Sequence, residues 1–425
     1  MLMWYRESFR ASVYAVGLGL GYISVLFILV PVAPLPSLAG SEERTPSHLY
    51  VDPQRGRDRE QRSGSAGKPF QTISFAISVI PEDVPNSITI HLMAGHYRTT
   101  GGHGMPENHL VLRRRTAPGK YILLKGEGDG KTKDKPVILD WVGTHMVTTF
   151  EGRWRIDNVQ LGTRNKKQRE GFVAEGSRSL LDLVDVRIRT ASHSGSGIHA
   201  KRAGRVHLYG TIELNEDLHE KCEDKETFCR IMATDHGRVK FMQTKGASLS
   251  IGNGGLGASY YGTVRLGCER ARITSWARSH PLAIGNSGRI DLGGTEAYFC
   301  TMSPNGTLIA AEDDGHILAE NTHVILRAGP EGNASAIQLQ KASTLFGGPF
   351  EIKGSFRATI VIMSGSVFVG KIVGDLDSVD AYTGSHLSLQ SGSNLPTRIA
   401  HARTGATIVL PSGEVVRERA WLPQK

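Results

Sequence analysis

The sequence predicts an all-β protein: a right-handed parallel β-helix (solenoid) with a short N-terminal capping helix, preceded by a single hydrophobic helix. The first sign is a repeat. A unit of Gly, any residue, aliphatic, any residue, apolar recurs as Gly204-Arg205-Val206-His207-Leu208, Gly237-Arg238-Val239-Lys240-Phe241, Gly262-Thr263-Val264-Arg265-Leu266, Gly288-Arg289-Ile290-Asp291-Leu292 and Gly315-His316-Ile317-Leu318-Ala319. Its glycines lie 33, 25, 26 and 27 residues apart, and Gly365-Ser366-Val367-Phe368-Val369 follows 50 later, read as two further periods. Each unit buries its inward pair only by stacking on its neighbours, so one repeat is one coil, and a propeller blade of roughly 40 residues is too long for the interval. The second sign is composition. Fifty glycines in 425 residues with 7% aromatics imply many tight turns around a core of small branched aliphatics.

Along the chain, residues 1–40 read as a signal peptide or membrane anchor. Arg6 and Arg10 precede an uncharged apolar stretch, Ala11 to Val32, and Pro31, Pro34 and Pro36 end it. About 20 apolar residues suffice to span a bilayer, whereas a signal core is usually about 7–15. Ser37-Leu38-Ala39 offers a cleavage site, so both outcomes stand open; either delivers the body to the periplasmic or extracellular face. Residues 41–67 are polar and rich in Arg, Gly and Ser, a tether or irregular lead-in. Residues 68–425 form the β-helix domain, in which Phe70, Ile73, Ile77 and Ile80 at helical spacing predict a cap about three turns long. Ile88, Ile90 and Leu92 alternate as the first strand. The long interval from Gly204 to Gly237 contains an insertion with Cys222 and Cys229, and shorter steps to Gly384 and Gly405 predict tighter coils near the end.

The order Tyr50-Val51-Asp52-Pro53, Gly56, Asp58, Gly64, Pro69-Phe70-Gln71-Thr72-Ile73, Ala76-Ile77, Ile88-Thr89-Ile90-His91-Leu92, Gly95-His96-Tyr97 resembles the opening of pectate-lyase-like right-handed β-helix proteins. The resemblance implies a helix that covers the open end of the coil stack. It extends to scaffold and cap only. The aspartate-rich calcium cluster, the Trp-Ile-Asp-His segment and the Arg-x-Pro base of pectate lyases are missing, as are the polygalacturonase aspartate pairs and the methylesterase Gln/Asp/Arg set.

Chemistry-bearing residues are scattered. The Ser/Gly-rich turn after Arg187 and Arg189 holds His193 and His199, followed by Lys201, Arg202 and Arg205; Asp235-His236 lie one coil on. A His with an Asp one coil away makes a general acid and base pair near neutral pH, so His193, His199, Arg202, Asp235 and His236 are the catalytic candidates. Arg113-Arg114-Arg115, with Arg187 and Arg189, are the binding candidates for an anionic polymer or headgroup; three charges without interleaved aromatics do not make a nucleic-acid site. Asp313 and Asp314 beside Glu312 are the candidate Ca²⁺ ligands, and no other cofactor is implied. Cys222, Cys229, Cys268 and Cys300 are disulfide candidates; no C-x₂-C pair supports zinc. Asn305 and Asn333 head glycosylation sequons.

A net charge of +9 favours anionic partners. Export, scaffold and missing catalytic signatures point to a binding or structural role at the cell surface or in the periplasm, with an acidic polysaccharide or a protein assembly as partner. The competing reading is a carbohydrate-active enzyme, lyase or hydrolase, acting on an acidic polysaccharide.

Overall fold

The computed structural model describes residues 46–417 apart from 60–62, 100–109, 128–135, 142–144, 163–169, 190–194, 215–228, 243–246, 252–253, 268–270, 276–280, 301–305, 329–334, 395 and 397. The apolar stretch 11–32, His193, Cys222, Cys268, Asn305 and Asn333 lie outside the described residues. No helix among the described residues is long and apolar enough to cross a membrane.

Strands dominate, and nearly all of them pair in parallel with the strand one repeat away. In the first of three ladders, Val206, Val239, Val264, Ile290, Ile317, Leu345, Phe368, Leu387 and Ile408 are successive partners, at steps of 33, 25, 26, 27, 28, 23, 19 and 21 residues. A second ladder runs through Leu214, Ile251, Ile273, Ala297, Val324, Phe350 and Ile372. A third runs through Phe172, Ile198, Ile231, Leu256, Leu282, Ile309, Ile337, Ile360 and Val379. Every one of these side chains is buried and all belong to one continuous core. Full burial of each aliphatic is worth about 1.5–3 kcal/mol. Parallel return of the chain to itself at this interval is consistent with a β-helix or other solenoid. At the C-terminal end Thr407–Val409 pairs antiparallel with Val415–Arg417.

The sheet begins earlier than the sequence suggests. His48–Val51, inside the stretch read as a lead-in, pairs with Ile88–Leu92 and buries Leu49 and Val51. Two apolar residues in a four-residue strand are too few to register as periodicity. The helix is shorter than expected, spanning only Ile73–Ser78. Thr72 is its N-cap, accepting from the Phe75 N–H, and Asp58 accepts in turn from the Gln71 and Thr72 N–H groups and the Thr72 hydroxyl. Pro81 disfavours helical backbone at Ile80 and so stops the helix early. Phe70 and Ile80 are still buried, from outside the helix.

Between the third and first ladders the chain turns the same way in each coil. Two consecutive residues take positive φ: Arg202-Ala203, Asp235-His236, Tyr260-Tyr261, Asn286-Ser287, Asp313-Asp314 and Lys341-Ala342. These turns hydrogen-bond from coil to coil, for example Ala203 N–H to Asp235 O at 2.7 Å, His236 N–H to Tyr260 O at 2.9 Å and Tyr261 N–H to Asn286 O at 3.1 Å. A small residue follows each pair. A Cβ on Gly237 or Gly262 would sit 2.0 Å from the carbonyl oxygen of Ala200 or Ala233. Later coils use serine instead, and the hydroxyls of Ser343 and Ser366 donate to the Gln340 and Met363 carbonyls, each at 2.6 Å.

This exchange corrects the reading of the last repeat unit. Gly365 is the second positive-φ residue of its turn, at 73°, and Ser366 occupies the small position. The register is therefore one residue later, burying Phe368 while Val367 and Val369 stay half-buried on the outside. Replacing Gly262 by Ala is expected to lower stability by about 1–3 kcal/mol through that backbone clash, while Ser343→Gly costs about 1 kcal/mol. Thermal denaturation of the two variants checks the ranking.

Candidate functional site

His199 lies in the strand Gly195–Lys201 of the third ladder, bracketed by its neighbours in the adjacent coils. Its Nδ1 is 2.6 Å from Glu170 Oε1 and its Nε2 is 3.0 Å from Thr234 Oγ1. The side chains of His199 and Glu170 are 12% and 13% exposed. Lys201 Nζ lies 3.2 Å from Glu170 and 3.3 Å from Glu175, and Arg202 donates to Glu175 at 2.5 Å. A carboxylate on one ring nitrogen and a hydroxyl on the other is the arrangement that orients a general base. The partner of His199 is thus Glu170 rather than Asp235. Asp235 and His236 sit instead in the outer turn, at φ 49° and 63°. In the strand Cys229–Ala233, Arg230 faces Ser196, which in turn faces Glu170; burial lowers the Arg230 pKa, yet from so high a start that it remains a cation.

The binding candidates are mostly committed within the fold. Arg114 donates to the Ile77 and Ile80 carbonyls at 2.8 and 2.9 Å, closing the C-terminal end of the short helix. Arg115 pairs with Asp83 at 2.7 Å, Arg113 lies over the Phe150 ring at 5.5 Å, and Arg187 pairs with Glu213 at 2.6 Å. Arg189 pairs through its backbone with Gly162; its side chain lies outside the described residues. Asp313 is engaged by Lys341 at 2.9 Å, and Asp314 by the Ser287 hydroxyl at 3.3 Å and by His316 at 3.5 Å. No group of three His, Cys, Asp or Glu placed to hold a metal occurs among the described residues. Cys229 opens a third-ladder strand and Cys300 is buried at the end of Glu296–Cys300.

The outer face of the first ladder carries a basic stripe that reading residues one by one misses. The outward positions of successive units place Arg205 beside Arg238, Thr263 beside Arg289, and His207, Lys240 and Arg265 in one row. Strand pairing sets neighbours about 4.8 Å apart. Arg205, Arg238, Lys240, Arg265 and Arg289 are all exposed. Arg265 is 3.3 Å from Asp291, but Arg205, Arg238, Lys240 and Arg289 have no acidic partner among the described residues. The signal was present in the sequence, at the "any residue" positions of the repeat unit itself. Directly upstream, Tyr260 and Tyr261 are among the few large apolar side chains exposed to solvent among the described residues.

No family model matches the chain, and no curated protein matches it. Among solved structures, the native crystal structure of GH136 lacto-N-biosidase from Eubacterium ramulus aligns at 9% identity with a TM-score of 0.32, over 81% of this chain and 64% of that one. Its selenomethionine derivative aligns at 11% identity with a TM-score of 0.27, over 84% and 62%. The chain spans less than two thirds of the length of that enzyme. Similarity of this degree carries no argument about chemistry.

Proposed function

We propose that this chain is an exported right-handed parallel β-helix, pectate-lyase-like in its opening segment, that binds an acidic polysaccharide and holds it at the cell surface or in the periplasm. The observation that carries the reading is the pair of exposed cationic rows on the first ladder: Arg205, Arg238 and, beyond Thr263, Arg289 in one, and Lys240 beside Arg265 in the other, with no ion pair to Arg205, Arg238, Lys240 or Arg289 among the described residues. A polymer with one carboxylate per sugar presents charge along a line, and a line of cations meets it without the desolvation cost of a buried pair. Residues 11–32 deliver the body across the membrane and, if uncleaved, tether it there. The test is calorimetric titration of the purified protein with polygalacturonate at low ionic strength. Saturable binding that weakens steeply with salt is expected, and no heat at any salt concentration defeats the reading.

A second reading, an enzyme acting on that polymer, draws on the Glu170–His199–Thr234 arrangement. Against it, both ring nitrogens of His199 are already engaged, by Glu170 and Thr234, and Lys201 also holds Glu170. The expected result is no unsaturated uronate from pectate or alginate, followed by ultraviolet absorbance. Steady product formation that His199→Ala abolishes establishes the enzyme instead.

A further inference from the structure

We infer that the Tyr260-Tyr261 turn, with His236 stacked on it, is a pyranose-stacking subsite that adds sugar selectivity to the basic stripe. The inference rests on the polysaccharide reading above and deepens it, naming a polymer of hexuronate rings over a polyanion of any kind.

Three observations converge. Tyr260 and Tyr261 are 48% and 61% exposed, and neither belongs to the core. The His236 ring stacks on Tyr261 with centroids 5.0 Å apart and planes 6° from parallel, giving one layered aromatic surface across two coils. Both tyrosines occupy left-handed backbone, φ 48° and 61°, as the paired residues of the equivalent turns do, so the backbone itself does not select a ring. The fold does not ask for a ring there. At the position of Tyr261, later coils carry Gly365, Gly384 and Gly405. Exposed aromatic area held on a turn that elsewhere accepts Ala, Ser or Gly at the same place points to a binding position.

Placement and rigidity fit the proposed occupant. Coil-to-coil hydrogen bonds, His236 N–H to Tyr260 O and Tyr261 N–H to Asn286 O, fix the turn before any ligand arrives, so little ordering entropy remains to be lost. A pyranose ring offers one face lined by C–H bonds, which lies against an aromatic face. Arg238 follows His236 by two residues, placing a cation with no acidic partner among the described residues on the strand that leaves that turn, to meet the carboxylate of the stacked sugar or its neighbour. A flexible polyanion without rings meets the cations alone.

The experiment titrates the full chain with polygalacturonate and, separately, with poly-L-glutamate, which carries carboxylates but no sugar ring. Wild type is compared with Tyr261→Gly, which removes the ring and relieves the backbone, and with Tyr261→Phe, which keeps the ring. Because glycine suits this φ, Tyr261→Gly is expected to melt no lower than wild type. It is expected to weaken polygalacturonate binding about tenfold and leave polyglutamate unchanged, with Tyr261→Phe close to wild type. Equal loss on both polymers, or no loss on either, overturns the subsite while leaving the charge reading intact. If wild type binds neither polymer, the polysaccharide reading itself falls, and the subsite with it.

Discussion

Replacing Val264 by Asp is expected to cost about 4–5 kcal/mol and to lower the melting temperature sharply, the largest stability effect anticipated for a single substitution in this chain. Val264 is fully buried, with Val239 on one side of the ladder and Ile290 on the other. An aspartate there brings a carboxylate into a column of aliphatic side chains with no cation to meet it, and it removes the packing that Val264 shares with two coils. Stacked repeats draw their stability from nearest-neighbour contacts, so a lesion in a middle coil weakens both interfaces at once. The matched control is Thr263→Asp, one residue earlier and facing outward, for which a change within about 0.5 kcal/mol is expected. Denaturant unfolding of the pair decides the face. Equal melting of wild type and Val264→Asp contradicts the register.

Reversing two cations of the stripe, Arg238→Glu with Arg289→Glu, is the change with the largest expected effect on binding. Each exposed contact of unit charges near 4 Å is worth about 1 kcal/mol in water, and reversal turns attraction into repulsion of similar size. Two such sites predict a loss on the order of a hundredfold or more in affinity for polygalacturonate at low salt. Neither arginine has an acidic partner among the described residues, so the melting temperature is expected to stay where it is. Arg115→Glu serves as the comparison: Arg115 is engaged by Asp83, away from the stripe, and its loss should leave glycan binding close to wild type.

The scaffold was largely written in the sequence because a parallel sheet built from one repeated unit repeats its own rule. Val206, Leu208, Val239, Phe241, Val264, Leu266, Ile290 and Leu292 were all expected in one core, and all are buried there. The rule failed where chemistry substitutes for shape. Serine at Ser343 and Ser366 fills the small position by donating its hydroxyl to a nearby carbonyl, so a search for glycine skips one coil and misplaces the next by one residue. The site was less legible, since its residues meet across coils at separations that vary. Glu170 precedes His199 by 29 residues, within the range of one coil, but the irregular steps of this part of the chain hide that pairing until the register is known. The run Arg113-Arg114-Arg115 misled for the opposite reason. Adjacent cations look like one patch in a sequence, whereas this run leaves one strand, Leu110–Arg113, and enters another, Arg115–Thr116, and each arginine meets its own partner. The basic stripe is the converse case, five residues on four strands that pairing brings into two adjacent rows.

The most direct test of that stripe is the salt dependence of polygalacturonate binding, measured side by side for wild type and the Arg238→Glu, Arg289→Glu double variant. Cations that bind a polyanion release its counterions, so the logarithm of affinity falls linearly with the logarithm of salt concentration, and the slope shrinks by about one for each contact removed. The account predicts a steep slope for wild type and a slope shallower by about two for the variant. Parallel lines for the two proteins would place the polymer elsewhere on the molecule and contradict the account.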